Sequence, residues 1–365
     1  MFKQNKKILL SLLATALLSS QLHAGFLNFD GELTSRVINK TEGEGKASTS
    51  LKSQLLLSGS KKLPDGYKVN YSLRTDNNPK AGFKSTGHSP YSLELNSINL
   101  EFAPNSATTL RLGRQATPIS TLSETIFDQD LYFDGLAAHY STAITPQSEI
   151  TFNTAYLFLE DKFREGGANR SDYAETLFAF QAEGNIEFSP TIEASASVAL
   201  LKSGHATVAA KDSNATLPFE NLIIGLQGNF ILPGVKNLSV YTEMNENTYE
   251  SVKDNKSTTF GIAIGDETVA GIGSWKVSIE NREVEANSGY LRFGDNYGKA
   301  SESANYPADY KADYKGMNLT ATTGISKTIN AGLRYQSYEA NKAVTGVNKK
   351  DTKADILWLE LAAKF

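Results

Sequence analysis

The sequence predicts an all-β fold, a transmembrane antiparallel β-barrel of sixteen strands with short turns at one end and long loops at the other. Three observations carry that prediction. Apolar residues recur at every second position in segment after segment, and the charges keep to the alternate face. Short links built on proline alternate with long polar links along the whole chain. Composition fits as well: 40% hydrophobic residues and a mean hydropathy of −0.32 suit a barrel, where only alternate residues meet lipid and the average stays low.

The first alternating segment is 26–38, with Leu27, Phe29, Leu33 and Val37 on one face and Asn28, Asp30, Glu32 and Arg36 on the other. Segment 67–76 puts Tyr67, Val69, Tyr71 and Leu73 outward, with Lys68, Asn70, Ser72 and Arg74 inward. In 191–201 the outward set is Ile192, Ala194, Ala196, Val198 and Leu200. In 273–283 it is Trp275, Val277 and Ile279 against Lys276, Ser278, Glu280 and Arg282. A sandwich core would not tolerate charges concentrated on one face, whereas a water-filled barrel requires them. The remaining strands are expected at 50–60, 91–103, 108–115, 132–142, 149–159, 175–188, 220–232, 237–246, 257–265, 316–326, 331–339 and 354–365. Two of these are irregular: 91–103, where the alternation changes phase, and the turn after 265, which lacks proline.

Tight turns fall at 63–66, 103–106, 145–148, 189–191 and 232–235, each with a proline that sets turn geometry and cannot continue a strand. Long links are expected at 39–49, 77–90, 116–131, 160–174, 202–219, 246–256, 284–315 and 340–352. Eight long loops imply sixteen strands, and barrels of sixteen to eighteen strands leave an aqueous channel.

The last strand is the most regular. Leu357, Leu359, Leu361, Ala363 and Phe365 share one face, while Trp358, Glu360 and Lys364 share the other. A base at mid-bilayer costs about 2–4 kcal/mol, so the leucine face is the lipid face. A chain stopping on an aromatic here resembles the closing strand of bacterial outer-membrane barrels. That resemblance implies outer-membrane lipids as surroundings and recognition of Phe365 and its leucines by the barrel-assembly machinery.

The other end agrees with export. Lys3, Lys6 and Lys7 precede an apolar run from Ile8 to Leu18, and Leu22-His23-Ala24 forms a small-residue cleavage site. The run is too short to span a bilayer as a helix, so 1–24 is expected to be a cleaved signal peptide and 25–365 the barrel. The formal charge is already −4 with those lysines counted, which argues against a nucleic-acid partner. The chain has no cysteine, and a closed barrel needs no disulfide staples.

The segment LRLGRQ (110–115), followed by a loop and FDQDLYFDGLAAHY (127–140), is similar to the bacterial putative-porin family of sixteen-stranded barrels. The resemblance implies a water-filled channel in the outer membrane of a Gram-negative bacterium. Ions and small hydrophilic solutes would pass by passive diffusion, and the barrel would be a homotrimer with no cofactor and no metal. It further implies that the loop between strands five and six, 116–131, folds inward and narrows the lumen. The acidic side of that narrowing would be Glu124, Asp128, Asp130 and Asp134. The facing basic wall would be Arg36, Lys52, Arg74, Arg111, Arg282 and Arg334. Arg114 is a further candidate, although alternation with Leu110 and Leu112 points it outward.

Other motifs do not rise to sites. Asp128, Asp130 and Asp134-Gly135 lack the spacing of a calcium-binding helix-loop-helix, whose twelfth position is here His139. No HExxH zinc motif is present, and Ser58-Gly-Ser-Lys61 enters a tight turn without the partner motifs of the penicillin-binding enzymes. A barrel enzyme would need a Ser/His/acid or His/Asp group at a rim, and none stands out, so no catalysis is expected. A substrate-selective uptake channel or a surface-binding barrel is the alternative to a general channel. The long loop 284–315, with its tandem ADYK at 308–315, is where such binding would reside.

Overall fold

A computed structural model describes residues 29–42, 46–76, 92–125, 132–159, 175–203, 220–233, 236–249, 253–285, 288, 314–341 and 353–365. The expected signal peptide 1–24 lies outside the described residues, as does most of the loop 284–315. Sixteen strands close into one antiparallel barrel in which each strand pairs with its sequence neighbours and the last pairs with the first. They are β1 (Asp30–Glu42), β2 (Lys46–Lys62), β3 (Tyr67–Asp76), β4 (Ser92–Phe102), β5 (Thr108–Ala116), β6 (Tyr132–Thr145), β7 (Ser148–Leu159) and β8 (Glu175–Ser189). The circuit continues with β9 (Ile192–Ser203), β10 (Glu220–Ile231), β11 (Asn237–Asn247), β12 (Lys256–Gly265), β13 (Trp275–Val284), β14 (Tyr314–Gly324), β15 (Ile329–Ala340) and β16 (Lys353–Lys364). Closure leaves no strand edge unpaired.

The pleat sorts the residues as the alternation requires. Leu112, Leu136, Tyr156, Phe178, Leu200, Leu226, Phe260 and Leu359 are all exposed on the outer face, so the belt runs around the barrel. A soluble monomer rarely exposes an apolar patch of more than a few hundred Å², and a belt on this scale is a lipid-facing surface.

The seam is sealed at the short-turn end. The Gly31 and Phe365 backbones exchange hydrogen bonds of 2.8 and 2.9 Å. The Phe365 ring lies over Gly31 so closely that a Cβ there would come within 2.2 Å of it. Leu357, Leu359 and Leu361 occupy the outer face of the same strand, opposite Asn39, Val37 and Ser35 of β1.

Three expectations need adjustment. The first long link, 39–49, is a tight connection, because β1 runs on to Glu42 and β2 starts at Lys46. The turn after β12 is the long one among the short turns, from Asp266 to Ser274, with Gly271 and Gly273 at positive φ supplying the reversal that proline supplies elsewhere. The phase change in β4 is a β-bulge: Ser72 pairs with Ser97 but Leu73 with Leu95, leaving Asn96 as the extra residue. Leu95, Ile98 and Leu100 can thus all face outward.

The bulge also accounts for Arg114 and Asp134, which belong to the outer face with Leu112 and Leu136 and not to the pore. Arg114 Nε donates to the Asn96 carbonyl that the bulge frees (3.2 Å), and Nη1 donates to Asp134 (3.3 Å), its register partner on β6. Gly113, between the two arginines, sits at φ +119° with the Ile98 carbonyl 2.5 Å from where a Cβ would lie, a position open only to glycine.

Candidate functional site: a lumen divided by an inner segment

The long-loop half of the inner wall from β6 to β10 is apolar, which a plain water-filled tube would not be. Phe133, Ala137, Ala155, Leu157, Leu177, Ala179, Ala199, Leu201 and Ile223 form one buried cluster there, and Ile119 from the segment after β5 joins it. These inward residues interleave with the outward belt, so 155–159, 177–180 and 198–201 are apolar on both faces.

Residues 117–125 use this surface as a seat. Ser120 is held at both backbone groups by the Gln181 amide on β8, its N–H donating over 3.0 Å and its carbonyl accepting over 2.6 Å. Asn153 and His139 extend that network along the wall, with Asn153 donating to Gln181 (3.1 Å) and His139 Nδ1 facing Asn153 Oδ1 (2.8 Å). Leu122 packs toward Gly225 on β10, where a Cβ would come within 3.1 Å of its Cδ1. The buried Glu243 carboxylate on β11 accepts the Leu122 N–H (2.7 Å) and the Ser123 hydroxyl. Glu124 then pairs with Arg334 on β15 at 3.7 Å.

β8 and β15 lie nearly opposite one another in a ring of sixteen. From Ser120 to Glu124 the chain reaches at most about 14 Å, so the long side chains of Gln181, Glu124 and Arg334 complete the crossing. The described part of the segment is therefore a chord across the lumen. It leaves a smaller arc of wall over β12–β14 and a larger one over β16 and β1–β5.

The ionic groups of the two arcs differ in their access to water. In the larger arc, Arg36 pairs with Glu360, with side chains 32% and 33% exposed, and Arg111 pairs with Glu101 at 2.9 Å. Glu101 also accepts from Lys68 and Asn70, each at 3.3 Å. Arg74 Nη2 lies 2.9 Å from the Gln54 side chain when that amide turns its oxygen toward it. Lys52 stands opposite Arg36 in register. Trp358 projects inward between neighbouring strands, with the Arg36 and Arg334 guanidinium carbons 5.7 and 5.4 Å from its ring centroid. In the smaller arc, Arg282 pairs with Glu280, and the side chains are only 2% and 12% exposed. Tyr241 and Asn318 donate to the same Glu280 carboxylate. The entry to the long loop after β13 tucks in nearby, where the Ser288 carbonyl accepts from Asn221 (2.6 Å) and Asn245.

Of the expected site residues, the structure brings Glu124 and Arg334 together and sets Arg36, Arg74, Arg111 and Arg282 on the inner wall. Asp128 and Asp130 lie outside the described residues. Sequence reasoning missed the inner-wall carboxylates that hold the bases, the Gln181 and Glu243 anchors and the apolar seat. Among the described residues no group of three His, Asp or Glu side chains is placed to hold a metal ion. At the short-turn rim, the Lys236 ammonium and then the Trp275 N–H hold the Asp266 carboxyl below the usual range.

Residues 62–222, from the end of β2 to the start of β10, match the model of a family described as putative porin. The family match and the barrel agree. The fold is that of an outer-membrane porin. The barrel is similar to that of Pseudomonas putida OprB, with a TM-score of 0.60 at 9% identity over 93% of this chain and 94% of that one. It is also similar to the anion-selective porin from Comamonas acidovorans, at 0.54 and 14% identity over 93% and 99%. Salmonella typhi OmpF matches at 0.54 and 13% identity over 93% and 97%. At such identities the likeness is one of fold alone. No curated protein matches this chain in sequence.

Proposed function

We propose that the protein is an outer-membrane porin, a diffusion channel whose narrow zone is set by residues 117–125 lying across the lumen. The observation that carries this reading is the chord itself, anchored on β8 and β11 and meeting β15 through the Glu124–Arg334 pair. A segment so placed limits the radius of what passes, and the charged groups beside it bias ions. The channel acts without bond chemistry or cofactor. Asp128 and Asp130, between the described segment and β6, extend its acidic side in this reading.

Export through a cleaved segment at 1–24, membrane assembly through the Phe365 strand and association as a homotrimer complete the proposal. The sealed Gly31–Phe365 seam supports a role for that terminal strand in closing the barrel. The test is single-channel recording of the refolded protein, without residues 1–24, in a planar bilayer. Discrete conductance steps, in threes for the trimer, support the channel. A folded barrel that carries no current contradicts it.

A further inference from the structure

Resting on the channel reading, we infer that Glu360 and Glu101 determine the channel's charge selectivity by cancelling Arg36 and Arg111 of the open arc. The permeation lane is then suited to solutes that carry no net charge.

The lane is located by exposure. Across the chord, the Arg282–Glu280 pair is nearly dry, whereas the Arg36–Glu360 pair is about one-third exposed and Arg111 is 44% exposed beside a Glu101 that is 15% exposed. Water, and so a dissolved solute, runs along β16 and β1–β5. Trp358 leans over the same lane between Arg36 and Arg334.

Along that lane, Arg74 beside the Gln54 amide apart, the bases lie against carboxylates. Arg36 and Arg334 contact carboxylates from β16 and from the inner segment, and Arg111 and Lys68 share Glu101. A base and an acid 3–4 Å apart present a dipole whose field falls off steeply, so a passing anion gains from the guanidinium about what it loses to the carboxylate. A neutral polar or zwitterionic solute can meet donor and acceptor together.

Removing the carboxylates therefore matters more for selectivity than their number suggests. The exposed Arg36–Glu360 pair contributes little to stability, and a glutamine at the more buried position 101 still offers an acceptor to Lys68, Asn70 and Arg111, so Glu360→Gln and Glu101→Gln keep the barrel folded. They leave charged guanidinium groups facing the lane at no change in its width.

The test is the reversal potential of the full barrel in a potassium chloride gradient. The wild type should show weak ion selectivity, and E360Q/E101Q should favour chloride by about fivefold over the wild-type ratio. The complementary variant R36Q/R111Q should move the potential the opposite way. The size of neutral polymer that still enters the pore and lowers its current should be unchanged in both variants, which separates charge from radius. Strong selectivity in the wild type, or a potential unmoved in E360Q/E101Q, overturns the inference while leaving the channel standing. A silent wild-type barrel overturns both.

Discussion

The two arcs of inner wall on either side of the chord carry the same chemistry, an arginine beside a glutamate, and put it to different ends. In the small arc Arg282 and Glu280 are shut away from water with Tyr241 and Asn318 around them. In the large arc Arg111 reaches into the water-filled lane from a Glu101 that is itself more sheltered. Side-chain type does not decide between a structural and a conducting role. The decision comes from which wall the inner segment covers, and that follows from an apolar seat on β6–β10 that draws Ile119 onto it.

This contrast can be broken most strongly at Arg282. Arg282→Met strands Glu280 in a dry site, and breaking a buried pair by removing one partner costs about 3–5 kcal/mol. Urea titration of the refolded barrel should show that loss while the reversal potential stays near wild type. Next in size is Glu243→Leu, which leaves the Leu122 N–H and the Ser123 hydroxyl without their acceptor, at about 1–3 kcal/mol. Here the expected signature is electrical: larger and noisier open-channel current as the chord loosens from β11. Arg111→Met should behave in the reverse sense to the change at Arg282. Its stability cost should stay within about 1 kcal/mol, as for exposed pairs, while ion preference moves toward cations.

The smallest effect lies at the rim. Asp266 is held below its usual range by Lys236 and the Trp275 N–H, so its contribution to folding is present at neutral pH. It is lost as the pH falls below the ordinary aspartate value of ~3.9 and through the lower folded value. Lys236→Met should flatten that part of the acid dependence of the unfolding midpoint, with little change in conductance.

The barrel was legible because lipid enforces a period of two that each strand states on its own. Leu359 beside Glu360 already says which way β16 faces. The β4 bulge was visible too, as a change of phase, though its consequence for Arg114 needed the freed Asn96 carbonyl. The pairing of charges was less accessible. Glu101 and Arg111 are hairpin neighbours across the 103–106 turn and could be matched by counting, but Arg36 meets Glu360 only because the first strand closes on the last. The apolar seat did leave a trace, since 155–159, 177–180 and 198–201 are apolar on both faces at their long-loop ends. A strand that greasy on its inner side has something to cover it. Which segment does so is a matter of packing at a distance, and Gln181 and Glu243 look like any other lumen residue in the sequence.

The most direct test of the divided lumen uses the absence of cysteine from the chain. Thr109→Cys places a thiol on the inner face of β5, in the open arc, and Thr259→Cys places one on β12, in the covered arc where Thr259 is 1% exposed. Single channels of each variant are treated with a charged methanethiosulfonate reagent while current is recorded. The divided lumen predicts a stepwise fall in current for T109C and no change for T259C. Equal and rapid modification of both would mean that residues 117–125 do not partition the pore.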